Sequence, residues 1–110
     1  MKRAWPMALI ALCWCVPSLA QTFTLPSDFW LTPRSGQALR EEAQLQQAVA
    51  AYLQLDRGGL RLHHQKRDES IAQVEELRSW LIALGVEAAR IEMADDNPLD
   101  TITLEIMEIR

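Results

Sequence analysis

The sequence is short of several residue types on which particular functions depend. Only two of its 110 residues are cysteine, Cys13 and Cys15, and both precede residue 20. The remainder can form no disulfide and has no thiol nucleophile or thiolate ligand, so it must fold on an apolar core alone. The four glycines include the pair Gly58-Gly59, which precedes a strand-like segment, whereas a phosphate-binding loop precedes a helix.

Recognisable catalytic patterns are also absent. The serines at 27, 35, 70 and 79 lie in no nucleophile-elbow motif. Neighbouring carboxylates such as Glu41/Glu42 and Glu75/Glu76 are typical of a solvated helix surface rather than of an acid/base pair held across a cleft. We therefore expect no enzymatic activity and no cofactor.

The first 20 residues have the order of a secretory signal peptide. Lys2 and Arg3 precede an apolar run over residues 7–16, and Ser18 and Ala20 supply the small side chains of a cleavage site. No later run approaches the roughly 20 apolar residues that span a bilayer. We expect export to the periplasm, cleavage after Ala20 and no integral membrane segment afterwards.

Lipidation at Cys13 or Cys15 is a less favoured alternative. The residues before these cysteines, Leu12 and Trp14, are larger than the small residue that lipoprotein processing requires.

The chain after residue 20 is acidic. Removing Lys2 and Arg3 from the 11 basic residues leaves nine against 15 acidic ones, a formal charge of −6. Binding to nucleic acid or to anionic lipid needs a basic face, so the composition argues against both partners.

The pattern of apolar residues predicts an extended arm over 21–35, with an edge strand around 28–31, and a single domain over 36–110. Apolar residues then recur at helical spacing from Ser35 to about Leu53. Strict alternation predicts a strand over 60–64.

A second amphipathic helix follows, with Asp68 or Ser70 as its N-cap and Gly85 at its end. Strands are predicted over 89–93 and 101–109. This order predicts an α+β fold, a two-layer sandwich in which two helices cover one face of a small mixed sheet. The crossover between the first two strands should be parallel, and the last two strands should be antiparallel neighbours.

Two segments are candidate binding surfaces. Phe29 and Trp30 of the arm could pack on the domain or form an exposed aromatic strip for a protein partner. Residues 63–69 include His63 and His64, which alternate to opposite faces and cannot chelate one ion through a regular strand, although one of them could bind a metal together with Asp68 or Glu69.

Three phrases of the sequence, "LTPRSGQALREEAQLQQAVAAYL", "GLRLHH" and "VEELRSWLIALGVEAARIEM", together resemble the periplasmic OmpA-like domain. The resemblance implies the α+β fold and peptidoglycan as ligand. In that family an aspartate and an arginine clamp the zwitterionic end of diaminopimelate. Here Asp68 is the only acid near the first position, Arg78 falls later in the helix than the clamp arginine, and the family's "GHTD" and "LSxxRA" phrases are missing.

Three functional hypotheses follow from these features. The leading one is a small, non-catalytic periplasmic module that binds an envelope protein through Phe29/Trp30 or residues 63–69. The second is weak peptidoglycan binding through Arg67, Asp68 and Arg78. The third is metal binding through His63, His64 and nearby acids.

Overall fold

The computed structural model describes residues 20–109; the rest of the predicted signal peptide lies outside them. The strands are β1 (Gln21–Leu25), β2 (Gly58–His63), β3 (Ile91–Ala94) and β4 (Ile102–Glu108). The α-helices are α1 (Gly36–Glu41), α2 (Ala43–Leu53) and α3 (Asp68–Ala83), and 3₁₀ turns occupy Ser27–Leu31 and Ala88–Arg90. The predicted α+β fold with a small mixed sheet is confirmed.

The sheet has the order β1-β4-β2-β3. Strand β2 runs parallel to β3, as predicted for a crossover through a helix, and antiparallel to β4. The prediction that β3 and β4 are neighbours is wrong, because β2 lies between them. Strands β2 and β4 carry the most apolar faces of the sheet, and pairing them at its centre buries those faces under the helices.

The core lies between the helices and one face of this sheet. Residues two apart in each strand point to the same side, and on this side β1, β2 and β4 contribute large apolar groups that are almost inaccessible to solvent. They include Leu25 of β1, Leu60 and Leu62 of β2, and Ile102, Leu104 and Ile106 of β4. The helices contribute Leu45, Ala48 and Tyr52 from α2 and Val74, Leu77 and Leu81 from α3.

The helical segment after residue 35 is two helices and not the single one predicted. Ser35 caps α1 by accepting a 3.1 Å hydrogen bond from the backbone N–H of Ala38. Glu42 then leaves helical geometry, with φ −79° and ψ 112°, and its carboxylate accepts a 3.0 Å hydrogen bond from the N–H of Gln44. Glu42 therefore ends α1 and caps α2, a role that the glutamate pair did not reveal.

Neither Asp68 nor Ser70 is the N-cap of α3, because the helix already begins at Asp68. Arg67 is the N-cap and makes no side-chain cap, while Asp68 and Glu69 lie in the first turn, where their charge favours the positive end of the helix. At the other end Gly85 has φ +110°, and the N–H of Val86 bonds to the carbonyl of Leu81 at 3.0 Å. The predicted stop at Gly85 is confirmed.

The segment 21–35 differs most from its prediction. The strand lies at Gln21–Leu25, where it pairs antiparallel with β4, and the predicted edge strand around 28–31 is wrong. After Pro26 the chain turns into the 3₁₀ turn, which the 3.1 Å hydrogen bond from the N–H of Phe29 to the Pro26 carbonyl closes. Proline cannot continue a ladder of strand hydrogen bonds, which explains why β1 ends before it.

None of the helices within residues 20–109 is long and apolar enough to cross a membrane.

Candidate functional site

The two surfaces predicted from sequence meet in the structure. The 3₁₀ turn and the first turn of α3 line a cleft of about 250 Å³. Trp30 and Leu31 form one wall, and Arg67, Glu69 and Ser70 form the other, with Asp100 at the edge. The aromatic segment and the 63–69 segment therefore contribute to one site, although they lie more than 30 residues apart in sequence.

Trp30 is held in place by the side chain of Arg34. The guanidinium lies 5.2 Å from the centre of the Trp30 ring and donates a 3.2 Å hydrogen bond to the Trp30 carbonyl. Its Nε and Nη2 atoms also donate to the carboxylate of Glu76 on α3, at 2.8 and 2.9 Å. The indole N–H of Trp80 donates to the same carboxylate at 3.1 Å.

These contacts attach the 3₁₀ turn to the middle of α3. The hydrogen bonds from Arg34 are the main reason that the pKa of Glu76 lies below its usual range, so the carboxylate stays charged at neutral pH. The wall of the cleft that contains Trp30 is therefore pre-organised.

Phe29 and Trp30 do not form an exposed strip together. Phe29 is only 8% exposed and belongs to the core. Its ring stands edge-on to Trp30 with the ring centres 4.9 Å apart. Phe29 thus offers almost no surface to a partner, whereas Leu31 is 81% exposed.

On the opposite wall, Arg67 makes only weak contacts. Its guanidinium donates to Gln65 Oε1 and to Glu69 Oε1, both at 3.2 Å, and the side chains of Arg67 and Glu69 are 54% and 69% exposed. Exposed pairs of this kind contribute little to stability. The guanidinium can therefore exchange these contacts for an acceptor on a ligand.

The structure does not bring Asp68 and Arg78 together. They lie ten residues apart on α3, which places them about 15 Å apart along the helix axis. The ammonium and carboxylate of a zwitterionic amino-acid terminus are attached to one carbon, so these two residues cannot grip both groups. Of the three residues predicted for peptidoglycan binding, only Arg67 lines the cleft.

His63 lies outside the cleft, on the face of the sheet that the helices leave open. Its Nδ1 atom is 2.7 Å from Asp96 Oδ1 and its Nε2 atom is 2.8 Å from Glu105 Oε1. Both ring nitrogens thus face carboxylates. Burial lowers the pKa of His63, but the hydrogen bonds and charges of Asp96 and Glu105 outweigh it, so that the pKa is raised.

Arg61 extends this cluster along the open face. Its Nε atom donates to Glu92 Oε1 at 2.8 Å, and its Nη1 atom lies 3.9 Å from Glu105 Oε1. Acids and bases alternate in the resulting chain of contacts from Asp96 to Glu92, so the surface has no large field of one sign. Its geometry suits a structural role, because each carboxylate is already paired. We call the contacts of His63 with Asp96 and Glu105 the clasp.

His64 points to the other side of the strand, as alternation requires, and is 6% exposed. Its Nδ1 atom lies 2.9 Å from the carbonyl oxygen of Gln65. The two histidines therefore face different surroundings. Within residues 20–109, no group of three or more His, Cys, Asp or Glu side chains is arranged to hold a metal ion.

Comparison with protein-family models, with curated proteins and with solved structures found no significant match to this chain. The residues of the cleft must therefore be interpreted from their own chemistry.

Several important side chains could not be found from sequence. Arg34 and Glu76 are 42 positions apart, as are His63 and Glu105, and only the sheet register and the path of the 3₁₀ turn bring them together. Nothing in the acidic run Asp95-Asp96 indicates from sequence that Asp96 contacts a histidine. The sequence did contain a signal that Leu31 belongs to the candidate surface, because Leu31 follows two aromatic residues and precedes the Thr-Pro pair.

Proposed function

We propose that this protein is a small, exported, non-catalytic binding module that attaches to another protein of the cell envelope through the cleft between the 3₁₀ turn and α3. The observation that carries the proposal is the exposed Leu31 beside a tryptophan that Arg34 holds rigidly. A large apolar side chain exposed on a fixed surface gains free energy when a partner covers it.

The composition of the cleft also suits a protein partner. Tryptophan and arginine are the residues most often responsible for binding energy at protein interfaces. Trp30 and Leu31 would bury an apolar side chain of the partner, while Arg67 would donate to a carboxylate or backbone carbonyl at the rim. We expect an extended segment with an apolar residue next to an acidic one.

The signal peptide pattern over 1–20 supports the periplasm as the location. The element order from the "LTP" phrase onward, helices followed by β2, α3 and β3, is also in keeping with the resemblance to OmpA-like domains. Both features support a role in the envelope, and neither identifies the partner.

The direct test places a photo-crosslinking amino acid at position 31 in the exporting cell. We expect it to trap one envelope protein reproducibly. The same amino acid at Leu53 is the matched control, because Leu53 is 60% exposed but lies on α2. Leu31→Asp in the same chain, with a crosslinker at Arg67, should abolish the product. An identical product from position 53, or persistence of the product in Leu31→Asp, would refute binding through the cleft.

A second candidate function is weak binding of peptidoglycan at the same cleft. One observation favours it: the cleft contains both the guanidinium of Arg67 and the carboxylate of Asp100, and a zwitterion needs a partner of each sign. Purified sacculi should then sediment the protein, with loss on Asp100→Asn and no change on Asp68→Ala. If the protein stays in the supernatant, this candidate is eliminated while binding of a protein remains open.

A further inference from the structure

The two edges of the sheet differ in how well they are protected. The edge strand β3 is short, contains Glu92 and is followed by Asp95 and Asp96. The edge strand β1 reads QTFTL, with no charged residue and no proline within it. Natural proteins usually guard a free edge with a charge, a proline or a bulge, because its backbone groups can pair with another strand.

The three central residues of β1, Thr22-Phe23-Thr24, are also symmetric about Phe23. If two copies pair antiparallel around this residue, Thr22 of each copy faces Thr24 of the other, and Phe23 faces its own equivalent. A two-fold axis perpendicular to the sheet generates this arrangement and keeps the helices of both copies on the same side. Threonines directly opposite each other across a strand pair are a favourable combination.

The helix above this edge also lacks charged side chains. Helix α2 packs mainly over β1 and β4, and its sequence, AQLQQAVAAYL, contains no charged residue. Gln46, Ala50 and Leu53 line a groove whose other side includes residues of α1 and Leu84, just beyond the end of α3, so this flank of α2 faces α1 and the end of α3. Helical periodicity therefore directs the opposite flank, Gln44, Gln47 and Ala51, toward the free edge of β1.

We propose that β1 and the outer flank of α2 form a homodimer interface in which two copies join their sheets into one of eight strands. The occupant is a second copy because neither the strand nor the helix contains a charged side chain and the centre of the strand, Thr22 to Thr24, is self-complementary. A five-residue strand alone buries less area than a stable interface needs, and pairing of the α2 helices supplies the remainder. This inference is independent of the cleft, none of whose lining residues belongs to β1 or α2.

The test uses charge at the facing threonines, which lie on the open face outside the core. The full chain, processed in the exporting cell, should sediment as a dimer at about 100 μM, where a micromolar Kd leaves little monomer. Thr22→Lys/Thr24→Lys should be monomeric, as should Thr22→Glu/Thr24→Glu, because like charges then face each other twice. An equimolar mixture of the two should dimerise again.

Two further variants define the register and the control. Thr22→Lys/Thr24→Glu in one chain places opposite charges across an antiparallel pair and should remain dimeric, whereas parallel in-register pairing would juxtapose like charges. Thr32→Lys adds a cation at an exposed threonine outside the sheet and should have no effect. Circular dichroism verifies that each variant is folded. A monomeric wild-type protein at this concentration, or a dimer indifferent to the paired lysines, would overturn the proposal.

Discussion

The two faces of strand β2 show how differently adjacent residues are used in this small protein. On the face under the helices, Leu60 and Leu62 are 1% and 0% exposed and belong to the core. On the other face, the side chains of Arg61 and His63 are 40% and 21% exposed and contact carboxylates of three segments. Apolar burial on the first face supplies the folding free energy. The contacts on the second face hold the 95–101 segment in place through Asp96 and contribute little to that free energy.

The largest expected difference between the faces is in the free energy of unfolding lost on substitution in the interior strand β4. Leu104→Ala removes a fully buried side chain and should lower the free energy of unfolding by about 2–5 kcal/mol. Thr103→Ala, the neighbouring residue on the open face, should change it by about 0.5 kcal/mol or less. Chemical denaturation followed by circular dichroism measures both. Equal losses at the two positions would show that the open face is covered in solution.

The adjacent residues Gly58 and Gly59 at the start of β2 allow the two faces to be compared by adding a Cβ atom to each. A Cβ at Gly58 would lie 2.9 Å from the backbone oxygen of Tyr52, on the helix side. Gly58→Ala should therefore destabilise the protein by about 1–3 kcal/mol, the usual cost of overpacking.

A Cβ at Gly59 would instead meet the terminal methyl group of Ile109, at 2.5 Å, on the open side. Because this side chain is 40% exposed at the end of the sheet, it can rotate away, and Gly59→Ala should cost less than Gly58→Ala. Thermal unfolding of the two single variants gives the order directly. The reverse order would contradict the assignment of the two glycines to opposite faces.

The smallest effect is expected from His63, and it depends on pH. The folded protein raises the pKa of His63, so the histidine contributes stability below its unfolded value of about 6.5 and loses that contribution as the pH rises through the folded pKa. The hydrogen bond to His63 lowers the pKa of Asp96, whose contribution disappears at acid pH. The clasp should thus be strongest between about pH 4 and 6.5.

The corresponding measurement compares wild-type protein with His63→Gln at pH 6 and at pH 8.5. Wild-type protein should lose more stability than the variant between these pH values, because glutamine does not titrate. All other ionisable groups are common to both proteins, so the difference isolates the histidine. Identical pH dependence would mean that His63 is not held between the two carboxylates in solution.

The parts of the fold that sequence could predict are those with a local signal. Alternation defined β2 and β4, and helical spacing with Gly85 defined α3. The pairing of β4 with β1 and β2 has no local signal, since it depends on which faces the helices cover after collapse. For the same reason the order of the last two strands was predicted wrongly.

The candidate site shows more clearly that contacts without a local signal cannot be predicted from sequence. The sequence indicated that Trp30 and the 63–69 segment were unusual surfaces, but not that they form one cleft. The turn that follows Pro26 and the bond between Arg34 and Glu76 create that proximity. Such contacts between distant residues depend on tertiary geometry and have no periodicity to detect.

The position of β4 has a kinetic consequence. Among residues 20–109, the last strand, β4, is an interior strand of the sheet, and the first strand, β1, pairs with β4 alone. A chain that emerges from its N-terminus therefore cannot assemble this sheet until β4 has emerged. Such long-range closure makes folding slow relative to helix formation.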